Sequence, residues 1–189
     1  MIIKILLTRI IIDSASDMPK KEADALKLDF LPLKTIFGEE EFLDGITITH
    51  DEFYTKLQNS TENPSTSQIS PAEYEDMYED VKKCGDTAVV ITLSSKLSGT
   101  YQSANIAHDG YEDCIYIVDS TAKSYGKMDF SMPCAYVYSG HSDELLQKYI
   151  KDIANGWEDQ PESIPVYSIG STIGTHVGPG AFGFAFFVK

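Results

Sequence analysis

The chain has 189 residues, an apolar fraction of 42% and a formal net charge of −14. That apolar fraction is enough for a hydrophobic core and argues against a disordered chain. The acidic balance argues against polyanionic partners, namely nucleic acids and anionic membrane surfaces. Three widely spaced cysteines without a Cys-x-x-Cys pair indicate a reducing, cytoplasmic compartment and argue against a zinc site. No stretch approaches the length of a membrane span, and Arg9 interrupts the N-terminal apolar run too early for a signal peptide.

Strands and helices alternate along the first two thirds of the chain. Apolar runs rich in β-branched residues predict strands at 10–12, 30–37, 87–93 and 114–118. Helical spacing predicts helices at 19–27, after Thr49, at 71–83 and at 101–107, with a turn at 38–41 and a loop at 59–70. Thr49 and Glu52, three residues apart, predict a capping box at the second of these helices. This alternation predicts an α/β fold, a mostly parallel sheet covered by helices on both faces.

A smaller region follows a boundary that we place at 125–133. Its pattern predicts a strand at 134–138, a helix at 143–156, and strands at 164–169 and 182–188. We therefore expect two domains, an α/β domain at 1–126 that carries the binding site and a small α+β lobe at 133–189.

A hydroxyl-rich turn, Ser98-Gly99-Thr100, follows the strand at 87–93 directly and opens the next helix. In open α/β sheets, ligands bind in the crevice at the carboxyl ends of the strands. The free N–H groups and the dipole of a helix start favour an anion there. The turn therefore predicts a site for a carboxylate or phosphate; the alternative is that Ser98 only caps the helix.

A second hydroxyl cluster contains Thr66 and Ser67. The nearby helix start is explained by Ser70, which forms a Ser-x-x-Glu capping box with Glu73. Thr66, Ser67 and Gln68 take no part in that cap. They are either further site residues or an ordinary polar loop.

Three charged or titratable residues allow a catalytic alternative. Asp13 and Asp119 each end a strand before a serine, and we interpret them as turn caps, with a metal or acid–base pair as the alternative. His176 stands among glycines, which indicates a turn histidine or one held close to a ligand. If His176 activated Ser98 and Asp119 oriented it, the protein would be a serine hydrolase acting on an acyl ester.

Taken together, these motifs resemble the DegV family of bacterial fatty-acid-binding proteins. The matching segments are, in chain order, 13–17, 31–33, 44–45, 66–71, 97–104, 118–120 and 174–181. The resemblance implies a carrier, not an enzyme, that binds a long-chain fatty acid as its only ligand and needs no cofactor. It also implies that the carrier presents the acid to a separate fatty acid kinase.

The same resemblance assigns roles within the binding site. The carboxylate would be held by Thr66, Ser98 and His176, and the tail would run in an apolar tunnel between the sheet domain and the small lobe. The remaining expected site residues are Ser14, Ser67, Gly99 and Thr100.

The chain also departs from the family pattern. Family members are longer, and the arginine- and glycine-bearing segment that follows their counterpart of Asp119-Ser120 has no match here. We expect a truncated second lobe, with a shorter or open tunnel that favours shorter acids, unless the sequence omits a piece. A ligand-free interaction module is the remaining alternative.

Overall fold

The computed structural model describes residues 7–120, 132–153 and 163–185, and every structural statement below concerns these ranges. The chain runs through a short 3₁₀ turn, Ser14–Ser16, ten strands and six helices in the described part. The strands are β1 (Thr8–Asp13), β2 (Asp29–Leu31), β3 (Lys34–Phe37), β4 (Glu40–Leu43), β5 (Ser65–Ser67), β6 (Thr87–Thr92), β7 (Ile115–Asp119), β8 (Ala135–Tyr138), β9 (Val166–Ser168) and β10 (Phe182–Ala185). The helices are α1 (Lys20–Ala25), α2 (His50–Asn59), α3 (Pro71–Cys84), α4 (Thr100–Ile106), α5 (Glu144–Ile153) and α6 (Ser171–Val177).

The residues group into two compact units. Unit 1 consists of Met1–Lys34 and Thr66–Ala122, and unit 2 of Thr35–Ser65 and Lys123–Lys189. The predicted domains, 1–126 and 133–189, follow the order of the chain, whereas these units follow contacts. Residues 35–65 join the C-terminal segments because α2 packs against α6.

Unit 1 is built on a four-stranded parallel sheet of order β2-β1-β6-β7. On one face, Ile11, Val90 and Ile115 pack against α3 and α4 side chains, including Tyr78 and Ala104, all at most 1% exposed. A hydrophobic cluster of this kind is the main source of stability in an α/β unit. The predicted parallel sheet with flanking helices is confirmed.

The opposite face of this sheet remains partly open. Ile10, Ile91, Val118 and Tyr116 are 40%, 40%, 46% and 56% exposed, respectively. The strand register places them on the same side of the sheet, because Ile10 lies two residues from Ile12, which pairs with Ile91, and Ile91 pairs with Val118. Among the described residues, these four side chains thus stay exposed on a sheet that helices flank.

Unit 2 contains a three-stranded sheet of order β10-β8-β9, antiparallel between β10 and β8 and parallel between β8 and β9. Helix α5 contacts β8 and β10, and its Leu146 is 1% exposed. A second cluster contains Phe37, Ile48, Phe53 and Tyr54. The strands β4 and β3 are neighbours in a further sheet.

Local signals in the sequence give the starts of α2 and α3 correctly. Both predicted capping boxes are present, Thr49 with Glu52 at α2 and Ser70 with Glu73 at α3. Each combines a hydroxyl that accepts the third helical N–H with a glutamate that accepts the cap N–H. The predicted cap residues Thr49 and Ser70 are thereby confirmed.

Other predictions needed the tertiary structure. The strand predicted at 30–37 is divided into β2 and β3, because Pro32 has no N–H with which to continue a ladder. Sequence reasoning missed the short elements β4, β5 and α6. Most of the predicted boundary at 125–133, the end of the helix predicted at 143–156 and the end of the strand predicted at 182–188 lie outside the described residues.

Among the described residues, none of the helices has both the length and the apolar character needed to cross a membrane.

Candidate functional site

The turn that follows β6 is held from both neighbouring strands. The Oδ2 atom of Asp13, at the end of β1, accepts the backbone N–H of Leu93 at 2.6 Å. The carboxylate of Asp119, at the end of β7, accepts the N–H of Ser95 at 3.0 Å and its hydroxyl at 2.6 Å. The interpretation of Asp13 and Asp119 as turn caps is confirmed.

These contacts weaken the catalytic alternative. The hydrogen bonds from the Ser95 hydroxyl and N–H lower the pKa of Asp119, so its carboxylate serves the turn in its ionised form. Both of its oxygens accept from Ser95, one from the N–H and the other from the hydroxyl, as a turn cap requires. Within the described part of the chain, no group of three or more His, Cys, Asp and Glu side chains could hold a metal ion.

The Ser98 hydroxyl lies at the start of α4. Its Oγ accepts the N–H of Thr100 at 3.2 Å and lies 3.0 Å from the Thr100 Oγ1. Ser98 is half-buried and Thr100 is fully buried. Within the described ranges, the N-cap of α4 is Gly99, with no side-chain cap bond, so Ser98 supports the helix start only through its bond to the Thr100 N–H. A hydroxyl that accepts this bond can still donate its own O–H to a ligand.

The structure brings the two predicted hydroxyl segments together. Gln68 follows β5 directly, and its Nε2 donates to the Ser103 Oγ of α4 at 3.0 Å. Its Oε1 approaches Gly99 so closely that a Cβ there would lie only 2.1 Å from it. Only glycine at position 99 permits this approach without moving Gln68. Sequence reasoning had not identified Gln68 as the residue that joins the segments.

Thr66 and Ser67 are the last two residues of β5 and directly precede Gln68. Both side chains are half-buried. Among the described residues, the Ser67 hydroxyl makes a long contact to the Gln68 carbonyl, at 3.5 Å. Thr66 and Ser67 thus precede the residue that contacts the start of α4.

Ser14 lies in the interior of unit 1. It is 4% exposed, and its Oγ accepts the N–H of Leu33 at 3.0 Å. This bond fixes the chain after β2 against the end of β1. Ser14 is therefore a framework residue at the carboxyl edge of the sheet.

The surrounding glycines had indicated that His176 lies in a loop turn. The structure places it in a helix instead. It is an exposed residue in the last turn of α6. Sequence reasoning missed α6 because its N-cap is Gly170 and no side chain from a neighbouring position caps it. The residue that does hold its start, Asp44, lies far away in the sequence.

Asp44 lies at the start of α6 and is only 1% exposed. Its Oδ1 accepts the N–H and hydroxyl of Ser171 at 3.2 and 2.6 Å, and its Oδ2 accepts those of Thr172 at 3.4 and 2.6 Å. Negative charge is stabilised at the N-terminal end of a helix, where backbone N–H groups lack partners. The start of α6 is thereby occupied by the protein's own carboxylate.

A family model described as uncharacterised proteins of the DegV family matches residues 8–135. The chain belongs to the DegV family. The match spans the whole parallel sheet and the turns that end its strands, and it includes all of the sequence motifs except the one at 174–181.

Curated DegV domain-containing proteins are similar in sequence. One from Clostridium perfringens is 33% identical over 149 residues, 78% of this chain and 53% of that protein. One from Clostridium acetobutylicum is 33% identical over 168 residues, 87% of this chain and 56% of that protein. The chain spans about half the length of these two DegV relatives.

Solved DegV structures share the fold. A DegV protein from Thermus thermophilus, described by its fatty acid binding, aligns with a TM-score of 0.77 at 18% identity over 97% of this chain and all of that chain. DegV from Bacillus subtilis, described as a fatty acid binding protein, gives 0.73 at 18% identity over 96% of this chain and all of that chain. A stearic-acid-binding protein from Eubacterium ventriosum gives 0.55 at 24% identity over 81% of this chain and 50% of that one.

Proposed function

We propose that this DegV chain binds a long-chain fatty acid and acts as a carrier, not as an enzyme. The proposal is supported by the solved relatives, whose descriptions name fatty acid binding and stearic acid. It is also supported by family membership over residues 8–135, which include every proposed site residue except His176.

The observation that carries the proposal is the meeting of two hydroxyl segments at the start of α4. Gln68 reaches Gly99 and Ser103, so the residues that precede it are tied to the turn that holds Ser98. A carboxylate is an acceptor-only group and requires converging donors. In the proposed site, Ser98 donates its O–H to the carboxylate while its oxygen continues to accept the Thr100 N–H.

The other site residues have distinct parts in the proposal. Thr66 and Ser67 supply further donors, and Gly99 leaves room for a close approach of the head group. The buried hydroxyls of Thr100 and Ser14 already bond within the fold, so these residues hold the frame of the site. His176 completes the head-group contacts.

The acyl tail is proposed to lie in an apolar tunnel. Burying it contributes ~0.8 kcal/mol per methylene, so for a long chain the tail supplies more binding free energy than the head group does. The head-group contacts then select a carboxylate and fix its orientation. No cofactor takes part.

We also propose a kinase as the partner that receives the bound acid, and a cytoplasmic location. The free thiols of Cys84, Cys114 and Cys134 are consistent with a reducing compartment. The kinase partner follows from the resemblance to the family.

Lipid extraction combined with native mass spectrometry tests the proposal. The purified chain should carry an added mass that gentle denaturation releases as a fatty acid, and apo protein should bind palmitate or oleate. Chromogenic acyl esters are the control for the hydrolase alternative. Absence of any fatty acid together with no palmitate or oleate binding would contradict the proposal, and so would ester turnover that Ser98→Ala abolishes.

A further inference from the structure

We infer that Asp44 is a positioning residue for His176, and that it acts through helix α6. The inference rests on the proposed function in one respect, the assignment of His176 to the fatty acid carboxylate. The rest follows from contacts within unit 2, where Asp44, α2 and α6 all lie.

Asp44 accepts four hydrogen bonds at the start of α6. Two come from Ser171 and two from Thr172, and the two hydroxyl bonds are both 2.6 Å long. Because Ser171 donates its hydroxyl proton to Asp44, the Thr35 hydroxyl at 2.9 Å must donate to Ser171. A carboxylate is the only common side-chain group in which two oxygens both act purely as acceptors. Ser171 and Thr172 therefore both depend on Asp44.

The middle of α6 is held by α2. The Tyr54 hydroxyl donates to the Ile169 carbonyl, just before the helix, at 3.0 Å. At Gly174, an added Cβ would lie 2.7 Å from the Tyr54 hydroxyl and 2.9 Å from the Phe53 ring. Helix α6 therefore packs with its backbone against α2 at Gly174, and because such close packing cannot absorb a displacement, a shift of the helix start tilts the helix about this contact.

His176 is the sixth of the seven residues of α6. At 1.5 Å per residue, its backbone lies roughly 7.5 Å along the axis from Ser171. Within the helix, the Thr175 hydroxyl also donates to the Ser171 carbonyl at 2.8 Å. A displacement of the helix start is thus transmitted along this short helix to the His176 imidazole.

The substitution Asp44→Asn tests this role. It keeps the shape of the side chain but presents an amide NH₂ to donors on one arm, so the start of α6 must shift. The matched control is Asp51→Asn, which removes a carboxylate of unit 2 whose side chain is 92% exposed. Palmitate affinity should fall roughly tenfold in Asp44→Asn, the equivalent of one hydrogen bond to a charged group, and stay unchanged in Asp51→Asn.

The coupling to His176 separates positioning from general stability. In a His176→Ala background, Asp44→Asn should cause no further loss of affinity, since the group that it positions is already gone. An equal loss in both backgrounds, or an unchanged affinity in folded Asp44→Asn, would overturn the inference. If Asp44→Asn does not fold, Thr172→Val is measured in the same way, because it removes one of the two donors to the Oδ2 atom of Asp44.

A readout without ligand distinguishes failure of this inference from failure of the proposed function. If the wild-type chain binds neither palmitate nor oleate, the proposed function fails, and the positioning of His176 is then measured by NMR of its imidazole. The His176 Cε1–H signal and amide exchange in α6 should change in Asp44→Asn and not in Asp51→Asn. An unchanged His176 signal would overturn the positioning role.

Discussion

The carboxylate of Asp13 accepts the backbone N–H of Leu93 at 2.6 Å, across 80 positions of sequence. This bond joins the carboxyl end of β1 to the turn after β6. Asp119 does the same from β7, through Ser95. Because β1 and β7 flank β6 in the sheet, the turn that leads to Ser98 is fixed from both sides.

Removing the Asp13 carboxylate should destabilise the protein. Asp13 is 3% exposed, and Asp13→Ala would leave the Leu93 N–H without this acceptor. We expect the free energy of unfolding to fall by about 1–3 kcal/mol in urea denaturation. Asp119→Ala, at a more exposed position, should cost less. A larger loss for Asp119→Ala than for Asp13→Ala would contradict this account of the turn.

The contact of Gly99 with Gln68 predicts that Gly99→Ala destabilises the wild-type protein but stabilises a Gln68→Ala variant. In Gly99→Ala, the new Cβ displaces the Gln68 side chain and breaks its bond to Ser103, which should cost about 1 kcal/mol. In a Gln68→Ala background, the same substitution should stabilise by about 0.4–1 kcal/mol. The reason is that the backbone at Gly99, with φ −76° and ψ 0°, already suits alanine. Urea unfolding of the four proteins measures both values, and the same sign in both backgrounds would argue against the contact.

Ser98→Ala should weaken fatty acid binding by about 1–3 kcal/mol, the range for a hydrogen bond to a charged group. Stability should fall less, since within α4 the hydroxyl accepts a single N–H, that of Thr100 at 3.2 Å. Isothermal titration with palmitate and a thermal melt of the same sample give the two numbers. A lower melting temperature with unchanged affinity would leave Ser98 with the capping role alone.

Thr66→Val keeps the shape of the side chain and removes its hydroxyl. Binding should weaken, and the double mutant with Ser98→Ala should lose less than the sum of the single losses, because both hydroxyls are proposed to hold one carboxylate. Ser65→Ala, at the exposed first position of β5, is the neighbouring control and should leave the affinity unchanged. Strict additivity of Thr66→Val and Ser98→Ala in the titration would count against a shared ligand.

His50 should make stability depend on pH. Burial lowers its pKa from 6.5, and the carboxylates of Asp44 and Asp51 offset this only in part. As the pH falls below 6.5, the unfolded chain binds a proton more readily than the folded one, so the free energy of unfolding decreases; above 6.5 this contribution is complete. His50→Gln should show a smaller loss of stability between pH 7 and 5 in urea titrations. An identical slope would exclude His50 as the source.

The sequence by itself determined the local features of this protein. The capping boxes at Thr49 and Ser70 and the strand at Thr87–Thr92 each lie within a few consecutive residues, so propensity and spacing were enough to predict them. The alternation of elements gave the parallel sheet in the same way. Ordered motifs gave the family, and with it the proposed roles of Ser98 and Thr66.

The tertiary structure decided which distant residues hold the site. Gln68 meets Ser103 across 35 positions, and Asp44 meets Ser171 across 127. Such contacts leave no periodicity or cap signal near either residue, so α6 was missed and His176 was assigned to a turn. A hydrogen bond needs only that two groups meet in the folded chain, and only the packing of the sheet and helices brings these groups together.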